Sequence, residues 1–146
     1  MNLSLVSLPG FLHSLSKEAM NLGKGLEHEK LTEQIIGCAI EVHKRLGPGF
    51  LESIYENALI IELQRQKLHV EQQREVIIKY DSVEVGRHRL DLIVDNTIVV
   101  ELKAVKNIED IHFAIVKSYL KALGKEHGLL INFSKPVLEV KRVIHK

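Results

Sequence analysis

The chain has 146 residues, the size of one ordinary domain and enough to bury a hydrophobic core without disulfide bridges or a structural metal. Hydrophobic residues make up 45% of it and charged residues 27%, a balance that argues against a disordered or membrane-embedded protein. The formal net charge of +1 excludes a strongly basic nucleic-acid coat protein, so any basic surface must be local.

Residues 1–30 are predicted to be an N-terminal extension of uncertain order, followed by one domain over residues 31–146. Pro9 and Gly10 interrupt the apolar stretch near the N-terminus and no Lys or Arg precedes it, which makes it a poor signal peptide. No apolar run approaches the roughly 18 residues of a membrane-spanning helix, so no membrane partner is expected. The single cysteine, Cys38, lies in an apolar helical pattern, which favours a buried thiol and suits a cytoplasmic protein.

Two helices are predicted at the start of the domain. Apolar residues recur three or four apart from Leu31 to Leu46, and Gly47-Pro48-Gly49 then ends the first helix. A second helix is predicted from about Leu51 to Lys67. The helical spacing of the first helix is carried by Ile36, Ala39, Ile40, His43 and Leu46. The positions expected to be buried on the second helix are Leu51, Ile54, Ala58 and Ile61.

The apolar period then changes to two, which predicts an antiparallel meander of three strands. Its strands are expected at residues 76–80, 83–94 and 98–103, with turns at Asp81-Ser82 and at residues 95–97.

Helical spacing returns between Glu109 and Leu123, and Gly124 is expected to stop this helix. A central strand at residues 128–133 and an edge strand at about residues 137–144 complete the chain. The elements predict an α/β fold of mixed α+β character, in which helices flank a mixed central sheet that includes the antiparallel meander.

Charged residues cluster on two of the predicted strands. Glu101 and Lys103 are two residues apart and so project from one face, while Leu102 points into the core on the other face. If residues 95–97 form a three-residue loop, Asp91 lies directly opposite Glu101, with the two Cβ atoms about 5 Å apart. A two-residue loop would turn Asp91 to the wrong face.

Spacing alone leaves two interpretations of this cluster open. Two carboxylates at that distance repel each other, and a divalent cation such as Mg²⁺ or Mn²⁺ would compensate them, since hard cations prefer oxygen ligands. Alternatively, Arg89 and Lys103 neutralise Asp91 and Glu101 in a salt-bridge network without a metal.

An Asp on one strand and Glu-x-Lys on the next, followed by a helix and a buried strand, resemble the PD-(D/E)XK nuclease superfamily. The segment Gly49-Phe50-Leu51-Glu52-Ser53-Ile54-Tyr55 is similar to the motif of the bacterial GxxExxY protein family, which is placed in that superfamily. The resemblance covers the chain from about Leu31 to Ile144. It implies a restriction-endonuclease-like core.

The resemblance also implies a catalytic site. It would consist of Asp91, Glu101, Lys103 and Glu52, with Lys103 beside the attacking water. The metal-binding positions would be Asp91, Glu101, Leu102 and Glu52, and the cofactor Mg²⁺ or Mn²⁺. Independently of the resemblance, Glu52 and Glu56 share one helix face and repel each other, and a cation above them would relieve the repulsion. Glu56 is equally compatible with a solvated surface residue.

Tyr55, Tyr119 and Arg89 are interpreted as supporting residues. Tyr55 is either a core residue or a residue that orients a catalytic carboxylate. Many members of the superfamily carry a Gln one helical turn before a Tyr, whereas Ile115 occupies that position before Tyr119 and cannot form a hydrogen bond. This departure puts full catalytic competence in question.

Lys117 and Lys121 belong to a basic ridge on the same helix and, with Arg87, are predicted to bind nucleic acid, DNA in particular. A solvated helix face explains the lysines equally well. The leading hypothesis is therefore a metal-dependent nuclease, which could act as a homodimer. The alternatives are a degenerate module that binds nucleic acid or a protein without cleavage, and a hydrolase of another phosphorylated substrate.

Overall fold

A computed structural model describes the backbone of residues 9–146 and the side chains of residue 25 and residues 27–146. The helices are α1 (Pro9–Leu46), α2 (Glu52–Arg65) and α3 (Asp110–Leu123). The strands are β1 (Val70–Gln72), β2 (Glu75–Tyr80), β3 (Val83–Arg89), β4 (Leu92–Val94), β5 (Ile98–Lys103), β6 (His127–Asn132) and β7 (Glu139–Ile144). No helix in this part of the chain is long and apolar enough to cross a membrane.

The chain divides into two units, Met1–Glu33 and Gln34–Lys146, and the second contains all of the strands found in residues 9–146. The predicted boundary between an extension and a domain at residues 30 and 31 stays a prediction. All of the structural statements below concern the second unit.

Five strands form the central sheet in the order β1-β4-β5-β6-β7, and β2 and β3 form a separate two-stranded sheet. Strands β5 and β6 are parallel, whereas all other neighbouring pairs are antiparallel. The predicted mixed α/β class is confirmed, as are the central position of β6 and the edge position of β7. Strand β1 was not predicted.

The antiparallel order of the predicted meander is also confirmed, but its middle strand is interrupted at Leu90 and Asp91. The interruption has a counterpart on the neighbouring chain segment, where Gln73 has a left-handed backbone with φ of 55°. The Gln73 N–H donates to Asp91 O at 2.8 Å, and the Leu90 N–H donates to Arg74 O at 3.1 Å. One antiparallel ribbon therefore runs through both sheets and bends sharply beside Asp91.

Helix α3 covers one face of the central sheet. It begins at a capping box in which Glu109 and His112 satisfy each other's backbone N–H groups, and it ends at Gly124, whose φ of 66° is left-handed as expected for a C-cap. The cluster beneath α3 contains Val76, Leu90, Ile93, Val99, Val116, Tyr119, Leu120, Leu130 and Val143. Ile93 and Val99 project toward α3, so Asp91 and Glu101, two residues farther along, project to the same side.

The residues that carry the helical spacing of the first helix are not all buried. Ala39 is buried, but Ile40 is 52% exposed. Ile36, His43 and Leu46 are only half-buried. The buried stripe is shifted by one residue and consists of Ile35, Cys38, Ala39 and Val42. The predicted burial of Cys38 is confirmed, and this burial, together with the nearby charge of Glu62, raises the pKa of its thiol.

The predicted buried stripe of the second helix is wrong. Leu51, Ile54 and Ile61 are 74%, 41% and 52% exposed, and Ala58 is half-buried. The opposite face is buried instead, through Tyr55, Glu56, Leu59 and Leu63. Both faces of α2 carry apolar residues at helical spacing, and contacts distant in sequence decided between them.

Candidate metal and catalytic site

The turn between β4 and β5 sets the register of the site. Val94 pairs with Ile98 and Leu92 pairs with Val100 across the three-residue turn at residues 95–97. Counting one pair farther outward places Asp91 opposite Glu101. The predicted three-residue loop and its register are therefore confirmed.

Two hydrogen bonds between the neighbouring chain segments orient the side chains of Asp91 and Glu101. The Asp91 N–H donates to Glu101 Oε1 at 2.8 Å, and the Leu102 N–H donates to Asp91 Oδ2 at 2.9 Å. Each carboxylate is thus oriented by a main-chain N–H group of the other strand. This arrangement fixes the two acidic side chains next to each other before any ligand is bound.

Burial disfavours the charged form of both acids. It raises the pKa of Glu101 to about 8, with a further increase from the charge of Asp91, and the Asp91 N–H and Lys103 oppose the increase. Burial also raises the pKa of Asp91 to about 6. The hydrogen bond from the Leu102 N–H opposes this increase, and the charges of Glu56 and Glu52 add to it. Two neighbouring carboxyl groups therefore lack sufficient positive charge around them.

Glu56 joins the site, which the sequence left undecided. Its side chain is only 7% exposed, and its negative charge contributes to the raised pKa of Asp91. The Gln72 amide donates to Glu56 Oε2 at 2.5 Å, and the Gln73 amide donates to Glu56 Oε1 at 3.0 Å. Gln72 and Gln73 are positioning residues that sequence reasoning missed, because neither β1 nor the bend after it was predicted.

Glu52 lies at the N-terminus of α2, one helical turn before Glu56, and its side chain is exposed. Its Oε1 accepts a hydrogen bond of 3.3 Å from the Ala104 N–H, just after β5 ends. It is near enough to Asp91 to contribute to the raised pKa of that acid. Glu52 therefore borders the carboxylate pair from the neighbouring helix.

The structure favours the core interpretation of Tyr55. The residue is completely buried, and its ring stacks on Phe133 with centroids 4.5 Å apart. Its hydroxyl donates to Gly47 O at 2.6 Å and accepts from the Phe50 N–H at 3.2 Å. Tyr55 thereby fixes the Gly47–Phe50 connection and the start of α2 on which Glu52 stands.

Lys103 and Leu102 flank Glu101 differently. Lys103 is half-buried rather than sealed in the hydrophobic interior, and its charge is close enough to Glu101 to favour the ionised form of that acid. The Leu102 side chain is 1% exposed and has no ligand atom, so only its main-chain carbonyl oxygen could reach a metal.

Tyr119 and Ile115 face the site from α3. Burial raises the pKa of Tyr119, and the charges of Glu101 and Asp91 raise it further. The His88 ring meets the tyrosine ring edge-on, with the ring centroids 6.1 Å apart. Ile115 is half-buried against the same core cluster. An aliphatic side chain therefore stands one helical turn before the tyrosine, as the sequence indicated.

The other four basic residues predicted for the site or for nucleic-acid binding, Arg87, Arg89, Lys117 and Lys121, are exposed. Arg89 ends β3 opposite Glu75, while Arg87 forms ion pairs with Glu84 and, at 3.1 Å, with Glu75. Lys117 and Lys121 project from α3. Two carboxylates thus compete with any phosphate for Arg87, and the roles of Arg87, Lys117 and Lys121 in nucleic-acid binding stay predictions.

Oxygen ligands and unbalanced negative charge suit a hard divalent cation. Within residues 27–146, no group of three or more His, Cys, Asp or Glu side chains is arranged to hold a metal as it stands. Mg²⁺ commonly binds through one or two carboxylates and keeps several water molecules. The pair of Asp91 and Glu101 fits that mode, with Glu52 and Glu56 nearby.

The chain is similar to the crystal structure of SSO0001, with 18% sequence identity and a TM-score of 0.49. The similarity covers 64% of this chain and 49% of that protein, so the chain spans about half of its length. No curated protein matches the chain. The family model of the PD-(D/E)XK nuclease superfamily matches residues 29–143, whereas membership of the GxxExxY family stays a prediction. The match covers the helices, the sheet and the carboxylate pair described above, and the chain therefore belongs to the PD-(D/E)XK nuclease superfamily.

Proposed function

We propose that this protein is a divalent-metal-dependent nuclease that hydrolyses phosphodiester bonds of nucleic acid. The observation that carries the proposal is the side-by-side placement of Asp91 and Glu101, with Lys103 on the same strand face as Glu101. Membership of the superfamily supports the same activity.

Asp91 and Glu101 would hold Mg²⁺ or Mn²⁺, with the Leu102 carbonyl oxygen and Glu52 as the further proposed ligands. A bound ion would polarise a phosphate oxygen and lower the pKa of a coordinated water. Glu56, held by Gln72 and Gln73, would add a further carboxylate beside Asp91.

Lys103 is the proposed partner of the attacking water. Its side chain is half-buried rather than enclosed, and its charge acts on Glu101, so a water and a phosphate group at the carboxylate pair would lie within its influence. It would orient or deprotonate the water and offset the negative charge that develops on the phosphate. Tyr119 borders the same space and limits its access to solvent.

A cleavage assay with Mg²⁺ or Mn²⁺ on single- and double-stranded DNA and RNA tests the proposal. Lys103→Ala should lower the cleavage rate by on the order of 10²-fold or more, as expected for loss of a group that acts on the attacking water. Lys106→Ala, an exposed lysine just beyond β5, is the matched control and should cleave like the wild type. Unchanged cleavage by Lys103→Ala would contradict the assignment, and cleavage confined to nucleotides or other phosphorylated compounds would redirect it.

Ile115 favours a second candidate function. A degenerate nuclease module would bind nucleic acid or a protein partner without cleavage, because the helix offers no hydrogen-bonding side chain at that position. Calorimetric titration with Mn²⁺ separates the candidates, since the enzyme must bind metal and a degenerate module need not. DNA as the substrate, a homodimeric state and a cytoplasmic location stay predictions from the sequence.

A further inference from the structure

A cleft of about 660 Å³ opens between β2 and α3, outside the carboxylate site. Its rim carries Arg74 and Lys79 from the β2 side and Lys121 from α3, and Ile77 and Leu123 contribute apolar surface. The volume falls within the range of pockets that bind small organic ligands. The cleft is therefore large enough for a nucleotide-sized group.

The charge of the cleft is positive. Its one acidic lining residue, Glu75, is already paired with Arg87 at 3.1 Å. Arg74 contacts Asn96 at 2.9 Å and Glu71 at 3.5 Å, and both contacts use Nη1 of a guanidinium group that has five N–H donors. Lys79 and Lys121 form no salt bridge with any residue in the described part of the chain. The rim thus presents two lysines without a salt bridge and one arginine that is paired with Glu71, against one carboxylate that is paired with Arg87.

The cleft also adjoins the proposed catalytic site. Arg74 O accepts a hydrogen bond from the Leu90 N–H at 3.1 Å, and Leu90 immediately precedes Asp91. On the other wall, Ser118 lines the cleft and is followed by Tyr119, which borders the carboxylates. A strand whose phosphate lies at Asp91 and Glu101 can therefore continue into the cleft.

We infer that this cleft binds an unpaired strand of nucleic acid next to the phosphate that is cleaved, with Lys79, Lys121 and Arg74 on its phosphates. The inference rests on the proposed nuclease function and adds a substrate class to it. A cleft of this volume admits one strand but not a duplex. Cations at its rim and aliphatic side chains at its walls match the phosphates and the base faces of such a strand.

Fluorescence anisotropy with labelled oligonucleotides in EDTA tests the inference without cleavage. The wild type should bind single strands and duplexes with an overhang more tightly than blunt duplexes. Lys79→Ala and Lys121→Ala should each weaken single-strand binding, and each should reduce the slope of log affinity against log salt by about 0.7. Lys44→Ala, an exposed lysine on α1, is the control and should leave both quantities unchanged.

Unchanged affinity and salt slope in Lys79→Ala and Lys121→Ala would overturn the inference, as would absent binding or a preference for blunt duplexes by the wild type. Thermal unfolding of each variant, expected at the wild-type temperature because both lysines are exposed, separates lost binding from lost folding.

A parallel Mn²⁺ cleavage assay separates the two proposals. Cleavage that is insensitive to both lysines retains the nuclease function and removes the cleft. Lysine-dependent binding by a protein that cleaves nothing retains the cleft and removes the nuclease function.

Discussion

Asp91 and Glu101 hold negative charge where the protein itself supplies little compensation. Each carboxylate receives one main-chain N–H, and Lys103 is the one cation that acts on Glu101 among the described residues. A salt-bridge network that neutralised both acids would lower their pKa values, whereas both are raised. This favours the metal interpretation over the network that the sequence left open.

The metal-free protein should lose stability as the pH rises. The pKa of Glu101 is about 8 in the folded chain and 4.5 ordinarily, so its stabilising contribution is complete below about pH 4.5 and disappears as the pH rises through 8. Asp91 acts in the same direction up to about pH 6. Urea denaturation in EDTA should therefore give a lower free energy of unfolding at pH 8 than at pH 5.5.

Glu101→Gln should remove most of this pH dependence, because an amide of the same shape does not ionise. At pH 8 the free energy of unfolding of the variant should exceed that of the metal-free wild type by on the order of a few kcal/mol, because each pKa unit corresponds to about 1.4 kcal/mol. Equal pH profiles for the variant and the wild type would show that Glu101 is not the group responsible.

Ile115→Gln tests why an aliphatic residue stands before Tyr119. The side chain is half-buried, so a glutamine can turn its amide toward the site and should cost only about 1 kcal/mol of stability. If the wild type is a weak nuclease because this donor is missing, the variant should cleave faster. Ile115→Met, which restores no hydrogen bond, is the matched control, and equal rates in the two variants would dissociate Ile115 from activity.

At the scale of elements, the sequence contained the register but not the bend. Residues 95–97 and the alternating apolar pattern were enough to place Asp91 opposite Glu101. The bend depends on Gln73, which has a left-handed φ of 55°. A glycine at this position would have indicated a left-handed backbone in the sequence, whereas a glutamine does not. Without the bend, the glutamine amides that hold Glu56 could not be assigned to the site.

Helix α2 was predicted with the wrong buried face for a related reason. Its two apolar stripes are similar in the sequence, and the choice between them comes from Phe133, which lies 78 residues beyond Tyr55 and stacks on it. Periodicity measures only local spacing, so it could not reveal this contact.

Tyr55→Phe should loosen the connection before α2 while leaving its packing on Phe133. The hydroxyl serves as donor to Gly47 O and acceptor for the Phe50 N–H, so its loss should cost about 1–3 kcal/mol in the free energy of unfolding. Metal binding through Asp91 and Glu101 should persist, because those residues stand on other elements. A wild-type stability in urea denaturation would contradict this role of the hydroxyl.

At the scale of the whole molecule, the near-neutral net charge means that nucleic-acid binding depends on where the basic residues lie. A net charge of +1 cannot draw a polyanion to the entire surface, so binding must come from a local concentration of cations. The carboxylate pair has the opposite sign and would repel a phosphate without a metal. Metal binding is therefore the step that would admit the phosphate to be cleaved to the carboxylate pair, whereas the lysines of the cleft can bind a strand without it.

Metal binding should stabilise the fold, because the unfolded chain no longer holds the two carboxylates together. A ligand at 100 times its Kd adds about 2.7 kcal/mol to the free energy of unfolding, which thermal denaturation with added Mn²⁺ at pH 8 would register as a higher Tm. The increase should be smaller at pH 5.5, where protons compete for the same oxygens. Asp91→Asn should lose the increase, whereas Lys103→Ala should keep or enlarge it, since removal of a nearby positive charge favours a cation. An unchanged Tm in the wild type, or an undiminished increase in Asp91→Asn, would exclude the carboxylate pair as the metal site.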